Sequence, residues 1–192
     1  MLKKIKLLRD QTGAGVVDVK KALEEAQGNE EKALEIIRKK GQAKALKKST
    51  REVKEGIVMS YVHSNNRIGA LVTLYCETDF VARNEEFKNL ARDIAMHISA
   101  MNPLVLKPED IEEKLLTKEK EIWKEQLKNE KKPEDIMQKI IAGKEKKWRE
   151  SNALLTQAFI KDPEKTIQDL INEKIGKIGE NIQIGQFIRY EI

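Results

Sequence analysis

Ile57-Val58-Met59-Ser60-Tyr61-Val62-His63-Ser64-Asn65-Asn66-Arg67-Ile68-Gly69-Ala70-Leu71-Val72-Thr73-Leu74-Tyr75-Cys76 is the stretch that decides the fold class. Ile57, Met59 and Tyr61 alternate with Val58, Ser60 and Val62. Beyond the turn-forming Ser64-Asn65-Asn66, the residues Ala70, Val72, Leu74 and Cys76 alternate with Leu71, Thr73 and Tyr75. Two runs of period two across such a triplet predict a β-hairpin.

Downstream the period lengthens. Phe87, Leu90, Ala91, Ile94, Ile98 and Met101 share one face of a predicted helix that ends at Asn102-Pro103. Asn84 is its expected N-cap, with Glu85 and Glu86 in the first turn. Residues 108–151 are charged and read as helical, divided by Pro133 and Gly143, with Trp123 and Trp148 expected to anchor them to the sheet. Thr166 is placed to cap a further helix through Ile167, Leu170, Ile171 and Ile175. Gly176 and Gly179 bracket the turn into a last strand, whose Ile182, Ile184, Ile188, Tyr190 and Ile192 are expected on one face and Phe187 on the other.

Upstream of the hairpin, three short helices are expected. Leu2, Ile5 and Leu8 line the first, which Gly13-Ala14-Gly15 breaks. Val19, Ala22, Leu23 and Ala26 form the stripe of the second. Asn29 caps the third, with Ala33, Ile36 and Ile37 as its apolar side and Gly41 as its stop. The fold class is therefore α+β. A three-helix bundle over 1–41 leads through a basic helical linker, 42–54, to a core of antiparallel β-sheet covered by helices, 55–192.

The chain has 192 residues, 40% hydrophobic and 36% charged, which is too apolar for a disordered chain and enough for one sizeable core with a small satellite domain. No apolar stretch approaches the ~20 residues of a membrane span, and no signal-peptide core follows the first residues, so a soluble cytoplasmic protein is expected. The single cysteine, Cys76, excludes an internal disulfide and a multi-cysteine metal site. The excess positive charge belongs to residues 1–50, where 13 Lys/Arg face 7 Asp/Glu. Lys39, Lys40, Lys44, Lys47 and Lys48 have no interleaved aromatics, so a solvated face is favoured there over a nucleic-acid platform. A Lys/Glu bias, 29 and 24 residues, accompanies heat adaptation and equally any heavily charged helical surface.

The sequence supplies little equipment for covalent chemistry. Gly13-Ala14-Gly15 lacks the preceding strand and third glycine of a dinucleotide site, and Ala142-Gly143-Lys144 lacks the upstream glycine of a phosphate loop and reads as a helix interruption. Cys76 falls on the core face of its strand. His97 lies beside the Ile94/Ile98 stripe, and His63 has no predictable His, Cys or carboxylate partner. No triad, carboxylate pair or metal cluster can be assembled, and no cofactor is expected.

Two apolar features stand apart. On a helical wheel Val17 falls about 160° from Val19, opposite the packed stripe. With Arg9 and Lys20 nearby, it suggests a partner surface. The other feature is Glu77-Thr78-Asp79-Phe80-Val81-Ala82-Arg83, between the hairpin and the main helix, which places Phe80 and Val81 in a connecting loop. From the residues alone, Phe80 reads equally as an exposed wedge aimed by Asp79 and as a side chain folded back on the core.

Two motifs here resemble translation elongation factor Ts, the guanine-nucleotide exchange factor family that acts on elongation factor Tu. One is Leu8-Arg9-Asp10-Gln11-Thr12-Gly13-Ala14-Gly15-Val16-Val17-Asp18-Val19-Lys20-Lys21-Ala22-Leu23 followed by Gly28-Asn29. The other is Glu77-Thr78-Asp79-Phe80-Val81-Ala82-Arg83-Asn84. The terminal Ile178-Gly179-Glu180-Asn181-Ile182 is similar to the family's last turn and strand. The resemblance implies a ubiquitin-associated-type N-terminal domain and an exchange loop at Thr78, Asp79, Phe80 and Val81. That loop would enter the G domain of factor Tu near its magnesium and phosphate site. It further implies Arg9, Val16, Val17, Lys20 and Lys48 as partner contacts. The pair Val16-Val17 departs from the larger side chains frequent there, which implies a weaker or differently shaped contact. The length is that of the short family form, which implies a homodimer built through the C-terminal core, a two-plus-two complex with factor Tu, and no direct binding of nucleic acid.

Overall fold

A computed structural model describes residues 1–128 and 133–192. The chain divides into two compact units: residues 1–99 with 168–192, and residues 100–167.

In the first unit, α1 (Leu2–Thr12), α2 (Val16–Glu25) and α3 (Glu30–Lys48) form a small bundle. Its core is Ile5, Leu8, Val19, Ala22, Leu23, Ala26, Ala33 and Ile37. The glycine turn works as the sequence suggests. Gly13 adopts φ 66° and donates its N–H to the Arg9 carbonyl at 2.7 Å, closing α1. Asn29 caps α3, its side-chain oxygen accepting from the Lys32 N–H at 3.0 Å.

Gly41, however, does not stop α3. The helix runs on for another seven residues, to Lys48. An interior glycine weakens a helix by only ~1 kcal/mol, and other contacts compensate. Ala45 is buried, while Lys40 and Lys44 pair with Glu25 and Asp18 of α2 at 2.8 and 2.7 Å. Much of the basic stripe is thus committed internally: Lys39 pairs with Glu35, and Lys48 donates to the Gly179 carbonyl.

The hairpin is present as β1 (Glu55–Val62) and β2 (Ile68–Cys76), joined in the register Ile57↔Leu74, Met59↔Val72 and Tyr61↔Ala70. A third antiparallel strand, β5 (Gln183–Glu191), pairs with the other edge of β2, so β2 is central. Val72, Leu74 and Cys76 turn to the interior. They share it with Phe87, Leu90, Ala91, Ile94, Ala95 and Ile98 of the helix that follows, all fully buried. Each such large side chain contributes roughly 1.5–3 kcal/mol by burial. His97 is buried with them, as expected beside that stripe.

The short α4 (Asp79–Arg83) and the long α5 (Glu85–Met101) follow β2. In the second unit, α6 (Glu113–Lys128) and α7 (Glu134–Asn152) lie either side of the segment outside the described residues. The expected break at Pro133 falls at the edge of that segment, with Pro133 at the start of α7. Gly143 does not interrupt α7 either, an interior glycine weakening a helix by only ~1 kcal/mol. Trp123 and Trp148, expected against the sheet, meet each other edge to face with ring centroids 6.4 Å apart. Arg149 ties this unit together, reaching Glu113 at 2.8 Å, Glu145 at 3.1 Å and the Pro108 carbonyl at 3.1 Å. The two-stranded β3 (Ala158–Phe159) and β4 (Asp162–Thr166) complete it. Thr166 closes β4, opposite Ala158, and α8 (Ile167–Ile178) starts directly after it.

The last strand, β5 (Gln183–Glu191), differs from its expected pattern. Val72 faces Phe187 and Leu74 faces Ile184, so the register slips by one residue opposite Thr73. This is a β-bulge, pinned where the Thr73 hydroxyl accepts the Gln186 N–H at 2.8 Å. A single extra residue exchanges the two faces. Ile184 and Phe187 therefore share the inner side, while Ile188 and Tyr190 point outward, 43% and 67% exposed. Among the described residues no helix is long and apolar enough to cross a membrane.

Candidate functional site: an exposed phenylalanine on a braced helical turn

Thr78 to Val81 do not form an irregular loop. Thr78 is extended (φ −128°, ψ 156°), and its hydroxyl oxygen accepts the Val81 N–H at 3.4 Å, which makes it the N-cap of α4. Asn84 (ψ 134°) ends that turn and starts the next helix, its side chain accepting the Glu86 N–H at 2.7 Å. A five-residue helix is too short to persist on its own, so tertiary contacts must hold it. It rests against β1 and β2, with Ala82 buried beneath. The ring of Phe80 points away from that support and is 83% exposed. Of the two readings open for Phe80, the structure has the outward one.

The base of the turn is braced from the far end of the chain. Glu180 lies in the turn between α8 and β5, which Gly179 permits by adopting φ 92°. One of its carboxylate oxygens accepts the N–H groups of Glu77 and Thr78, each at 3.1 Å. The other accepts the Thr78 hydroxyl at 2.7 Å. Glu77 returns the link, accepting the Asn181 N–H at 2.6 Å and lying 3.5 Å from Arg51. Asn181 is itself buried and donates to the Arg51 carbonyl at 2.8 Å.

Cys76 adds a further link from below, its thiol donating to the Thr78 carbonyl at 3.2 Å. Burial, with a smaller effect from the nearby Glu180 carboxylate, pushes that thiol up to about 11. At neutral pH it is a protonated donor in the core, as its place in the strand suggests, and not a nucleophile.

On the bundle, Val16 and Val17 stand on the outside of α2, 48% and 65% exposed. Lys20 is exposed on the same helix, 3.8 Å from Glu24. Arg9 lies around the corner, on an open cleft of about 450 Å³ shared with Thr12, Glu173, Lys174 and Lys177. In that cleft Lys174 and Lys177 converge on Glu86. Burial pushes the Glu86 carboxyl up, but hydrogen bonds from the two lysines outweigh it and leave it below the usual carboxylate range. Lys48 donates to the Gly179 carbonyl. Among the described residues, no group of three or more His, Cys, Asp or Glu is arranged to hold a metal ion.

The family model described as elongation factor Ts matches residues 10–192. The chain belongs to the elongation factor Ts family. The elongation factor Ts of Thermosipho melanesiensis is 54% identical over 99% of this chain and 97% of its own length. That of Thermotoga maritima is 54% identical over 98% and 94%. That of Carboxydothermus hydrogenoformans is 50% identical over 98% and 87%. The brace through Glu77, Glu180 and Asn181 is the part of the site to which the sequence motifs assign no role. Its only sequence signal is the glycine-led turn Ile178-Gly179-Glu180-Asn181-Ile182.

Proposed function

We propose that this chain promotes GDP release from elongation factor Tu during translation elongation. It does so by inserting Phe80, presented by Thr78, Asp79 and Val81, near the magnesium and phosphate site of the G domain. The observation that carries this reading is an aromatic ring left 83% exposed on a turn whose base is held by hydrogen bonds with Glu180, Asn181 and Cys76. No covalent step is needed. A partner that binds the nucleotide-free state more tightly than the GDP state weakens GDP by linkage. Phe80 supplies the wedge, Asp79 the charge and hydrogen-bonding aim, and Thr78 and Val81 the shape of the turn.

In the same reading, residues 1–41 dock on factor Tu through Val16 and Val17 with Arg9 and Lys20 beside them. Lys48 contributes by holding α3 to the turn that carries Glu180. Residues 42–54 connect this bundle to the core, 55–192, which also dimerises. Support for a homodimer comes from the outer face of the three-stranded sheet, where Val58, Val62, Leu71, Tyr75, Ile188 and Tyr190 are all 40% or more exposed. Contiguous apolar faces of this kind mark interaction sites. Two such chains and two of factor Tu make the two-plus-two complex, placed in the cytoplasm. The internal pairing of Lys39, Lys40, Lys44 and Lys48 weighs against the RNA-binding alternative.

Release of a fluorescent GDP analogue from elongation factor Tu tests the proposal. Catalytic amounts of the chain should accelerate release without hydrolysing GTP. Unchanged release across a concentration series would reject it.

A further inference from the structure

We propose that Glu180 is a positioning residue for nucleotide exchange, acting through Thr78 to fix the direction in which α4 presents Phe80. This rests on the exchange reading above and adds to it a residue 102 positions away from Thr78 in the chain.

The geometry is that of a relay. The Thr78 hydroxyl has one proton, which it donates to Glu180 at 2.7 Å. Its lone pairs are then turned to the Val81 N–H. One contact therefore sets both the side-chain rotamer of Thr78 and the cap of the helix. The second Glu180 oxygen takes the two N–H groups that precede the helix, at Glu77 and Thr78. Without it these donors, at a half-buried position between the end of β2 and α4, would need new partners. Charge-assisted hydrogen bonds are the stronger kind, and here three of them converge on one carboxylate.

The turn that carries Glu180 is held independently of α4. Gly179 sets its backbone, Lys48 donates to the Gly179 carbonyl, and the buried Asn181 anchors its other side to Arg51. Glu180 thus links a fixed point, at the start of β5, to a short helix that has little stability of its own. Phe80 lies two residues beyond the cap, so rotation of the first turn moves its exposed ring directly. The contacts assigned to docking lie on the bundle and do not include Glu180. Loss of the carboxylate therefore affects the step at which the wedge acts more than the encounter.

The test measures fluorescent GDP release from elongation factor Tu over a range of chain concentrations, giving a maximal rate and a half-saturating concentration. Glu180→Ala should lower the maximal rate about tenfold, with the half-saturating concentration within twofold of wild type. Glu180→Gln keeps an oxygen for the two backbone N–H groups and should recover most of that rate. Phe80→Ala and Phe80→Ala/Glu180→Ala should be nearly equal, because an aim without a ring has no effect. Amide hydrogen exchange of the free chain should be faster at Val81 and Ala82 in Glu180→Ala, with the melting transition of the core retained.

A wild-type maximal rate in Glu180→Ala, or losses that multiply independently in the double variant, would overturn the inference. So would an unchanged half-life of the Val81 and Ala82 amides. A wild-type chain that leaves GDP release unchanged would instead overturn the exchange reading beneath it, and hydrogen exchange would still report whether the brace holds α4.

Discussion

The carboxylate of Asp79 lies 3.1 Å from the guanidinium of Arg83, one turn further along α4. Both side chains are open to water, so the pair contributes at most a few tenths of a kcal/mol to the fold. The pair is therefore exchangeable, and a partner's donor can replace Arg83 without unfolding the turn. Asp79→Ala should reduce exchange by a smaller factor than Phe80→Ala, because water can take over part of a carboxylate's role. A larger loss for Asp79→Ala, in the same release assay, would reverse the assigned roles.

Phe80→Ala should reduce exchange about 10- to 150-fold, if most of the roughly 1.5–3 kcal/mol of a buried Phe is realised only in the transition state for release. Its melting temperature should be unchanged, since the ring is already in water in the free chain. A sharp fall in melting temperature with exchange intact would place the ring in the core instead.

The fold was most legible where periodicity and burial agree. In β1 and β2 both faces could be read from alternation, because nothing disturbs the register of the pair. β5 could not be read the same way. Its bulge depends on the Thr73 hydroxyl bonding to Gln186, a contact between strands 113 positions apart that leaves no local pattern. Gly41 and Gly143 misled for a related reason. A glycine's local cost is small beside the tertiary contacts of the helix around it. For the candidate site, the exposed Val17 and the turn at Phe80 could be found by their mismatch with the neighbouring stripes. The helical form of that turn could not, since five residues do not complete a recognisable period. Glu180 was out of reach because its partners are remote in sequence.

The bulge gives a direct stability prediction. A Cβ at Gly185 would lie 2.4 Å from the Tyr75 ring and 2.5 Å from the Thr73 hydroxyl. The Thr73 oxygen is held by Gln186 and cannot withdraw without breaking that bond. Gly185→Ala should therefore destabilise the chain by about 1–3 kcal/mol, read from urea unfolding. A neutral result would mean that the sheet re-registers freely at this point.

The outer sheet face predicts a dimer in reducing buffer. Sedimentation equilibrium at micromolar concentration should give a mass near twice the 22.1 kDa of one chain, and a stable interface should bury at least ~1,000 Å² in total. Leu71→Glu or Tyr190→Lys should shift the mass toward the monomer with the fold retained. A monomeric wild type would remove the two-plus-two assembly from the proposal.

Acid should weaken the fold in part through Glu86. Its carboxyl lies below the ordinary 4.5 because Lys177 and Lys174 outweigh the effect of burial. A folded-state value below the unfolded one stabilises the chain fully above about pH 4.5, and that stabilisation disappears as pH falls through the lower, folded value. Between pH 6 and pH 3, Glu86→Gln should therefore lose less stability than wild type in parallel urea titrations. Equal slopes would show that the two lysines do not favour the charged form of Glu86.

The chain's single cysteine is sealed inside the fold. Cys76 is fully enclosed and, with its ionisation pushed up to about 11, is thiolate in on the order of one molecule in ten thousand at pH 7. Toward maleimides and iodoacetamides the folded chain should behave as though it had no cysteine. A cysteine introduced at an exposed position, such as Asn65→Cys at the hairpin tip, would be the one site a dye attaches to. Single-label fluorescence is then available without first removing a side chain that helps hold the turn carrying Phe80.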